Sequence, residues 1–283
     1  MMYLYNKEFV NFFRCASKFR QLNVVPSLQP SSETSISVCT TCMNRLCDLR
    51  KTLPENLNDT YDNVEFVLLD YGSTDGMAEW VKSEMMGHIH TGRLVYYHTS
   101  ADRFCPNHSR NVSFRLAKND LVVNVDADNY MGGGFLQAIN KCATVGKDGL
   151  LIVPSNFLLP DSTRFLLKGR FALYRDDIYR LGGFDEDLDN GFSHDDVSFV
   201  IRAMLARFSV VRFDKSFTSR RIHTTDEDRV RYVKNKNFAH MKGTNQFITA
   251  CKLSRAITQV NQNQHWGKAI VHKNFQTNEV IHV

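Results

Sequence analysis

Residues 121–128 read LVVNVDAD, a short apolar run that ends in two carboxylates spaced one residue apart. Side chains two positions apart in an extended strand point to the same side, so Asp126 and Asp128 converge at the end of the strand. Converging carboxylates repel each other unless a cation lies between them. Mg2+ or Mn2+ with oxygen ligands commonly fills that role while it carries a diphosphate. The pattern therefore indicates a divalent-metal site; the alternative is a solvated turn after a strand.

The composition is that of an ordinary globular protein. The chain has 283 residues, of which 43% are hydrophobic and 23% charged, enough for one large domain with a sizeable core. A net charge of +5 permits an anionic ligand but does not by itself indicate nucleic acid. Seven cysteines without regular spacing favour reduced thiols in a cytoplasmic protein. The sequence shows neither a signal-peptide pattern nor an apolar run of the roughly 18 residues that a membrane span needs.

Strand and helix signals alternate along the first half of the chain. Such an order predicts an α/β fold, with a mostly parallel central sheet and helices on both faces. The expected strands are 35–40, 64–70, 93–98, 121–125, 150–153, 165–174 and 209–213. The expected helices are 44–53, ended by Pro54, a helix through 86 capped by Ser73 or Thr74, and then 107–118, 135–145 and 195–207.

Composition divides the chain into three parts. Residues 1–34 are expected to form an N-terminal helical extension and linker, 35–225 the main domain, and 226–283 a basic, partly helical extension that packs on the core. Aromatic and basic residues alternate between positions 5 and 19, which favours a docking or dimer-forming helix over a membrane anchor. Polar strand ends place a ligand site at one sheet edge. A Rossmann dinucleotide site is disfavoured, because CTTCMNR follows the first strand in place of a glycine-rich turn.

Five further segments accompany the aspartate pair in a fixed order: SVCTTCMNR at 37–45, FVLLDYGSTD at 66–75, NHSRN at 107–111, LGGFDE at 181–186 and GFSHDDVSF at 191–199. Together they resemble the inverting, metal-dependent glycosyltransferases of family two, which have the GT-A fold. They also resemble the related C-terminal segment of galactosyltransferases and chondroitin-type polymerases. The resemblance covers roughly residues 35–223. It implies a GT-A catalytic domain with a small antiparallel acceptor-side region.

On the donor side, the resemblance implies that a nucleotide sugar, expected to be a UDP-sugar, is bound by several of these segments. Thr40 and Arg45 would lie against the nucleotide, and Asp70 would contact the uracil or ribose. Each has a plainer interpretation. Arg45 can be a solvated arginine beside a capped helix, and Asp70 can be the turn residue before Gly72.

The diphosphate, the sugar and the metal also have implied partners. Arg110 would lie near the diphosphate, with Arg103 a weaker candidate for the same task, and Gly183 belongs to the loop that shapes the donor-sugar pocket. Mn2+ or Mg2+ would be held by Asp128, by Asp126, which also reaches the ribose, and by a histidine after the last core strand. His223 is placed for that role, although a lone histidine is often a satisfied surface or core residue.

On the acceptor side, the resemblance assigns Asp196 as the base that takes the acceptor proton and Asp195 as the acid that orients the acceptor. Related proteins have Gly-Glu-Asp where this chain has His194 and the two aspartates, and a tryptophan where it has Phe192. These departures leave the acceptor open. The alternative is a capping box between Ser193 and Asp196, with both acids favouring the helix dipole.

The expected function is transfer of a sugar, with inversion, to a hydroxyl of a glycan. Alternatives stay open: a hydroxymethylated base of DNA as acceptor, a nucleotidyltransferase, or a silent nucleotide-sugar-binding protein. A nucleotidyltransferase normally opens with a glycine-rich loop, which is absent here. The basic cluster between Arg202 and Lys242 suits DNA, but such a run is commonly a solvated face. Trp266 is interpreted as a packing anchor or as a residue that stacks on a sugar.

Overall fold

A computed structural model describes residues 33–156, 167–261, 265–276 and 280–283. The expected aromatic helix between positions 5 and 19 and nearly all of the linker at 26–34 lie outside these residues. No helix among the described residues is both long and apolar enough to cross a membrane. The cysteines within the described ranges form no disulfide.

The centre of the fold is a nine-stranded sheet in the order β7-β5-β6-β4-β1-β2-β3-β8-β9. The strands are β1 Ile36–Cys42, β2 Val64–Tyr71, β3 Leu94–Thr99, β4 Leu121–Val125, β5 Leu150–Pro154, β6 Arg170–Tyr174, β7 Ser209–Phe213, β8 Ile270–Lys273 and β9 Val280–His282. Strands β4, β1, β2 and β3 are parallel, as are β5 and β7. Strand β6 runs antiparallel to both of its neighbours, and β8 and β9 add an antiparallel edge. The prediction of a mostly parallel central sheet is confirmed.

Helices cover both faces of this sheet. They are α1 Leu46–Leu57, α2 Met77–Glu84, α3 Met86–His90, α4 Pro106–Leu116, α5 Phe135–Ala143, α6 Arg175–Leu181, α7 Asp195–Leu205, α8 Asp226–Val230 and α9 Phe238–Ser254. One core cluster packs α1, α2 and α5 on the first face, and a second packs α4, α6 and α7 on the other. Strands β1, β2 and β4 contribute residues to both clusters, which explains their nearly continuous apolar runs.

Helix α1 does not end at Pro54, and that expectation was wrong. The helix continues through the proline to Leu57, which is 2% exposed. Asn56 donates to the backbone oxygen of Asn129 at 2.9 Å and accepts from the backbone N–H of Met131 at 2.8 Å. Burial of Leu57 and these two buried hydrogen bonds outweigh the single helical hydrogen bond that proline removes. The extra turn therefore supports the loop that follows β4.

The loop after β2 also differs from the expectation, because neither Ser73 nor Thr74 caps the following helix. Helix α2 begins after Gly76, which has a left-handed φ of 85° and makes no side-chain cap. Ser73 instead accepts from the backbone N–H of Asn44 at 3.0 Å, and Asp75 accepts from that of Leu46 at 2.7 Å. These residues thus satisfy backbone donors at the start of α1, on the neighbouring connection.

Strand β6 starts later than the expected 165–174. Lys168 and Gly169 have positive φ values of 51° and 67°, which interrupt the extended backbone before Arg170. A side chain at Gly169 would place its Cβ 2.2 Å from Asp126 Oδ2, so this turn passes directly beside the end of β4. The carboxyl ends of β1 and β4, and the turn before β6, therefore meet at one edge of the sheet.

Candidate functional site

A cleft of about 310 Å3 opens at this sheet edge. It brings together five residues that the sequence singled out: Arg45, Arg110, Asp126, Asp128 and Asp196. The rest of its lining is Thr41, Cys42, Met43, Phe104, Ala127, Asn129, Lys168, Gly169, Phe192, Arg221, Asp228, Arg229 and Tyr232. Carboxylates and cations from six separate parts of the chain therefore face a single space.

Asp126 lies at the entrance of the cleft, with its side chain 35% exposed. Its Oδ1 accepts a hydrogen bond from Asn124 Nδ2 at 3.0 Å and lies 3.4 Å from Arg110 Nη2. Its backbone N–H donates to the oxygen of Gly169 at 3.1 Å, which fixes the end of β4 against the turn before β6. Oδ2 carries no hydrogen bond from the described residues and stays available to a ligand.

Asp128 is more buried and faces Arg45 from the same rim. Thr224 Oγ1 donates to Asp128 Oδ2 at 3.2 Å, and Arg45 Nη2 lies 3.8 Å from that oxygen. Arg45 is itself paired with Asp48 and donates to Thr224 at 2.6 Å. Burial and the repulsion of Asp126 raise the pKa of Asp128 above its ordinary value, although Arg45 and Thr224 act in the opposite direction.

This pair of carboxylates fits a divalent cation by its chemistry. Two hard oxygen donors converge from one strand end, and the raised pKa of Asp128 reflects a repulsion that a cation would relieve. His223 is exposed and lies outside the cleft lining, although its neighbour Thr224 bonds to Asp128. No three His, Cys, Asp or Glu side chains of the described residues gather into a metal cluster. The structure thus brings Asp126 and Asp128 together without His223. Mg2+ commonly binds through one or two carboxylates and substrate phosphates, so the pair suffices for that mode.

Arg110 connects the side of the cleft that carries Asp126 to the side that carries Asp195. It projects from α4 and donates from Nη1 to Asp195 Oδ2 at 2.6 Å, while Nη2 lies 3.4 Å from Asp126 Oδ1. Its guanidinium stacks 5.2 Å from the centre of the Phe184 ring. Burial opposes its charge, but Asp126, Asp195 and Asp196 outweigh that effect and raise the pKa of Arg110. The cation is therefore fixed between the two acidic groups.

Asp196, beside Asp195, is in a different environment. Its Oδ1 is buried and has no hydrogen-bond partner among the described residues. Burial and the charges of Asp195 and Asp126 raise its pKa well above the ordinary value for an aspartate, and Arg110 lowers it only in part. Asp195 is thus ion-paired with an arginine, while a buried oxygen of Asp196 has no partner among the described residues. A carboxylate with a raised pKa beside a specific charge partner is typical of general acid–base sites.

The backbone before these acids adopts an unusual conformation. Ser193 and His194 have φ values of 96° and 66°, and neither is glycine. Their side chains are joined by a hydrogen bond of 2.9 Å from Oγ to Nδ1. His194 is the N-cap of α7 and makes no side-chain cap, so the capping box between Ser193 and Asp196 does not form. A left-handed backbone at non-glycine residues is costly and is concentrated at functional sites.

Helix α9 holds this strained loop, which is called the acid loop below and comprises residues 190–196. Asn245 donates to the backbone oxygens of Leu188 at 2.9 Å and Ser193 at 3.0 Å. Met241 packs so closely on Gly191 that a Cβ there would lie 1.7 Å from its sulfur. A helix more than forty residues further along the chain therefore sets the position of the two acids.

Two of the expected nucleotide-binding residues are buried by hydrogen bonds within the protein. Thr40 Oγ1 donates to the oxygen of Val125 at 2.8 Å and joins β1 to β4, while its neighbour Thr41 lines the cleft. Asp70 is 1% exposed and accepts from the backbone N–H of Ser73 at 2.8 Å and from Tyr96 OH at 2.7 Å. Both lie outside the cleft lining, and Asp70 has the geometry of a turn residue.

Arg103 and Gly183 also lie outside the lining. Arg103 is exposed, and its charge acts on the thiol of Cys105. Gly183 has a φ of 69°, and a Cβ there would lie 2.4 Å from Asn111 Oδ1 and 3.0 Å from Trp266. Trp266 is 1% exposed, which identifies it as a packing anchor. Close packing against Asn111 and Trp266 therefore accounts for the glycine.

Sequence reasoning did not assign two cations to this cleft, Lys168 and Arg221. Neither forms an ion pair with a carboxylate among the described residues. Both are positioned by Asn129, which donates to the backbone oxygen of Lys168 at 3.0 Å and pairs with Arg221 in a β-bridge. No local motif marks Lys168. Arg221 belongs to the basic cluster between Arg202 and Lys242, which was interpreted as a solvated face or as a surface for DNA.

A buried arginine fixes these two segments against each other. Arg170 is 0% exposed and donates to the backbone oxygens of Lys168 at 3.2 Å, Tyr130 at 2.7 Å and Arg220 at 2.6 Å. Burial lowers the pKa of Arg170 to about 10, and the nearby Asp126 and Asp128 partly compensate. These hydrogen bonds of Arg170 place Lys168 and Arg221, which have no ion-pair partner among the described residues, next to the aspartate pair.

Three aromatic side chains line the cleft: Phe104, Phe192 and Tyr232. The rings of Phe104 and Phe192 are 6.0 Å apart, and the backbone N–H of Phe104 donates to the oxygen of Tyr232 at 2.7 Å. Phe192 belongs to the acid loop. Apolar ring faces therefore adjoin the carboxylates in the same space.

The chain is similar to known proteins both in sequence and in fold. Residues 37–156 match the family model described as glycosyl transferase family 2. None of the curated proteins matches the chain. Mannosyltransferase PcManGT from Pyrobaculum calidifontis, solved in complex with GDP-Man and Mn2+, is 17% identical with a TM-score of 0.56, over 73% of this chain and 62% of that one.

Two further solved structures are similar. S. aureus TarS in complex with UDP-GlcNAc is 18% identical with a TM-score of 0.50, over 81% of this chain and 74% of that one. GalNAc-T7 with UDP, GalNAc and Mn2+ is 13% identical with a TM-score of 0.52, over 64% of this chain and 42% of that one. The chain thus spans less than two thirds of the mannosyltransferase and of GalNAc-T7. At these identities the likeness concerns the fold.

Proposed function

Because residues 37–156 carry a glycosyl transferase family 2 domain within a GT-A fold, we propose that this chain is a metal-dependent, inverting glycosyltransferase. It would move a sugar from a nucleotide sugar to an acceptor hydroxyl. The predictions of a GT-A fold and of a glycosyltransferase are confirmed at the level of fold and family. The roles of individual residues, the donor and the acceptor belong to the proposal.

One observation carries the proposal: Asp196, whose buried Oδ1 has no hydrogen-bond partner among the described residues, lines the same cleft as Asp126 and Asp128. An inverting transfer needs a base for the acceptor hydroxyl on one side of the sugar and stabilisation of the leaving diphosphate on the other. Asp196 supplies an oxygen that can accept the hydroxyl proton. The ion pair between Asp195 and Arg110 holds the neighbouring carboxylate in place.

The donor site would be completed by the cations of the cleft. Asp126 and Asp128 would hold Mn2+ or Mg2+, which when bound neutralises the charge that develops on the leaving diphosphate. Arg45 and Arg110 are already paired with carboxylates. Lys168 and Arg221 supply two positive charges that have no carboxylate partner among the described residues. Since a diphosphate linked to a sugar carries two negative charges, these two residues match it in number and lie beside the aspartate pair.

A uridine nucleotide is the proposed donor, since TarS and GalNAc-T7 were solved with UDP-GlcNAc and UDP, although PcManGT was solved with GDP-Man. The proposed acceptor is a glycan. The ring faces of Phe104, Phe192 and Tyr232 offer a surface on which a sugar ring can pack while its hydroxyl reaches Asp196.

The central experiment substitutes the base. Asp196→Asn keeps the shape of the side chain but cannot accept a proton. We expect Mn2+-dependent hydrolysis of a UDP-sugar to fall roughly a hundredfold to ten-thousandfold. Binding of UDP, measured by calorimetry, should persist. Asp176→Asn, an exposed aspartate on α6 outside the cleft, is the matched control and should keep wild-type turnover.

Two outcomes would contradict this assignment. Near-normal turnover of Asp196→Asn would remove Asp196 as the base. UDP binding by the wild type without any Mn2+-dependent hydrolysis would instead indicate a nucleotide-sugar-binding protein.

A further inference from the structure

One short segment near the acid loop is rich in cationic side chains. Residues 229–242, called the basic segment here, contain no aspartate or glutamate and five cationic side chains: Arg229, Arg231, Lys234, Lys236 and Lys242. Asp226, Glu227 and Asp228 lie directly before this segment, so residues 226–242 together carry a net charge of +2. A charge gathered in this way creates a local positive potential that attracts anions.

The basic segment wraps around the acid loop. The backbone N–H of Asn235 donates to the oxygen of Asn190 at 3.3 Å, and Met241 packs on Gly191. Val233 is 1% exposed and anchors the segment between its charged neighbours. Arg229 lines the cleft itself. The positive charge is therefore placed at the acceptor side of the cleft, around the two acids.

Three of the five cations already have partners within the segment or next to it. Arg231 lies 3.0 Å from Asp228, and Arg229 lies 3.9 Å from Asp226. Lys236 donates to the backbone oxygens of Val230 and Arg231. These contacts support the short helix α8 and the turn after it.

Lys234 and Lys242 are different, because both are exposed and neither is paired with a carboxylate of the described residues. Lys242 lies close to the acid loop. Burial lowers the pKa of His194, Asp195 opposes that effect, and the charge of Lys242 lowers the pKa further. Lys234 precedes Asn235, which is bonded to the other end of the loop. Lys234 thus adjoins the residue that is bonded to the start of the acid loop, and the charge of Lys242 acts on His194 nearer the end of the loop.

Helix stability does not account for this placement. Lys234 and Lys236 precede Asn237, the N-cap of α9, and the first turn of that helix contains no acidic residue. Cations at a helix N-terminus oppose the helix dipole. The arrangement therefore adds a local electrostatic cost to the fold, which an anionic ligand would relieve.

From these observations we propose that the acceptor is an anionic glycan, a chain whose sugars carry phosphate, sulfate or carboxylate groups. This inference rests on the proposed function and names its acceptor class. The acceptor hydroxyl lies at Asp196, and a neighbouring anionic group contacts Lys234 and Lys242. The diphosphate of the donor would be served by Lys168 and Arg221, which line the cleft, so Lys234 and Lys242, which lie outside its lining, remain for the acceptor.

A glycan fits the site better than DNA does. The unpaired charge comprises two lysines around a single loop, whereas a duplex presents a long track of phosphates that usually meets many cations. The narrow cleft with its aromatic faces suits one sugar ring next to the anionic group.

The test compares an anionic and a neutral polysaccharide on the full chain. Fluorescent dextran sulfate is titrated in the presence of UDP and Mn2+, with dextran of the same length as the neutral probe. We expect dextran sulfate to bind and dextran not to bind. The double variant Lys234→Ala/Lys242→Ala should weaken binding of dextran sulfate about tenfold, because two charge-assisted contacts are lost. The matched control is Lys82→Ala/Lys141→Ala, two exposed helical lysines outside the cleft and the acid loop, which should change the Kd by less than about twofold.

Each other outcome is decisive. Equal weakening in both double variants, or no binding of dextran sulfate by the wild type, would overturn the proposal. An oligothymidylate that binds more tightly than dextran sulfate, and that depends on the same two lysines, would replace the glycan with a nucleic acid. Stabilisation by UDP and Mn2+ is measured on the same samples: its absence would count against the proposed function, whereas its presence without dextran sulfate binding would count against this inference alone.

Discussion

At the scale of single residues, the site depends on two neighbouring aspartates that experience different surroundings. Asp195 donates nothing and accepts from a buried guanidinium at 2.6 Å, so it remains a counter-ion. Asp196 has a buried oxygen without a partner and a raised pKa. The same residue type thus fills two roles, because one carboxylate is neutralised by Arg110 and the other is left to a ligand.

The raised pKa of Asp196 predicts a cost to stability at neutral and alkaline pH. An ordinary aspartate ionises near pH 4, so above that value the unfolded chain loses this proton more readily than the folded chain does. Folding therefore loses free energy as the pH rises. Asp196→Asn removes the ionisation, and we expect its Tm to exceed that of the wild type by roughly 2–4 °C at pH 8. The two proteins should converge toward about pH 4.

Thermal denaturation across this pH range, with Asp176→Asn beside it, provides the measurement. A gain that is equal at acidic and alkaline pH would mean that the asparagine stabilises by packing, and not by removing a buried charge.

Substitution of Arg110 is expected to shift the pH dependence of activity. Its charge lowers the pKa of Asp196 against the effects of burial, Asp195 and Asp126. In Arg110→Gln that contribution is lost, so the base becomes harder to ionise. We expect the acidic limb of the kcat/KM profile to move up by about one pH unit or more. Arg110→Lys retains a charge and should shift less; a lower rate with an unmoved limb in Arg110→Gln would assign Arg110 a purely structural role.

At the scale of elements, the acid loop is shaped by a helix that follows it much later in the chain. Ser193 and His194 adopt left-handed backbone conformations directly before α7. Asn245, which is 0% exposed, donates to the backbone oxygen of Ser193 in the loop and to that of Leu188 just before it. The hydrogen bonds and packing of α9 thus maintain a conformation that the loop sequence alone disfavours.

The contact between the acid loop and α9 can be tested by a double-mutant cycle. A Cβ at Gly191 would lie 1.7 Å from Met241 Sδ, so Gly191→Ala should destabilise the protein by about 1–3 kcal/mol and reduce turnover. In a Met241→Ala background the same change should cost less, because the obstructing sulfur is gone. Gly146→Ala, where a Cβ meets nothing within 4 Å, is the control. Additive effects in urea denaturation would show that the two positions are not coupled.

At the scale of the whole molecule, the cleft assembles residues that are far apart in the sequence. Thr41 lies in β1, and Asp126 and Asp128 come directly after β4. Lys168 lies in the turn before β6, and Arg221 lies in the segment after β7. Buried Arg170 joins three of these backbone segments. Ligands that bind the assembled cleft should therefore stabilise the entire fold.

The stabilisation of the fold by UDP and Mn2+ can show which side chains bind the metal. UDP with Mn2+ at about a hundred times its Kd should stabilise the wild type by about 2.7 kcal/mol. Asp128→Asn should lose most of the Mn2+-dependent part, since Asp128 lines the cleft. His223→Ala should keep most of it, since His223 is exposed and lies outside the lining. Thermal shift with UDP alone and with added Mn2+ gives the comparison. Equal losses in the two variants would restore His223 to the ligand set.

Local patterns predicted the core of the fold well, because strand hydrophobicity and turn residues act over a few positions. Strand β4, with the aspartate pair after it, begins and ends where the sequence indicates. The helix that continues through Pro54 could not be foreseen, because the compensating contacts of Asn56 are made to Asn129 and Met131, over seventy residues away.

The sequence by itself determined which side chains this protein has available: an acidic strand end, an acidic helix start and a matching order of motifs. Only the tertiary structure decided which of them meet. It buried Asp70 and Thr40 in hydrogen bonds within the protein, left His223 exposed, and brought Lys168 and Arg221 to the cleft. The physical reason is that burial, desolvation and hydrogen bonding at the site depend on contacts between residues far apart in the sequence. A single local motif does not encode such contacts.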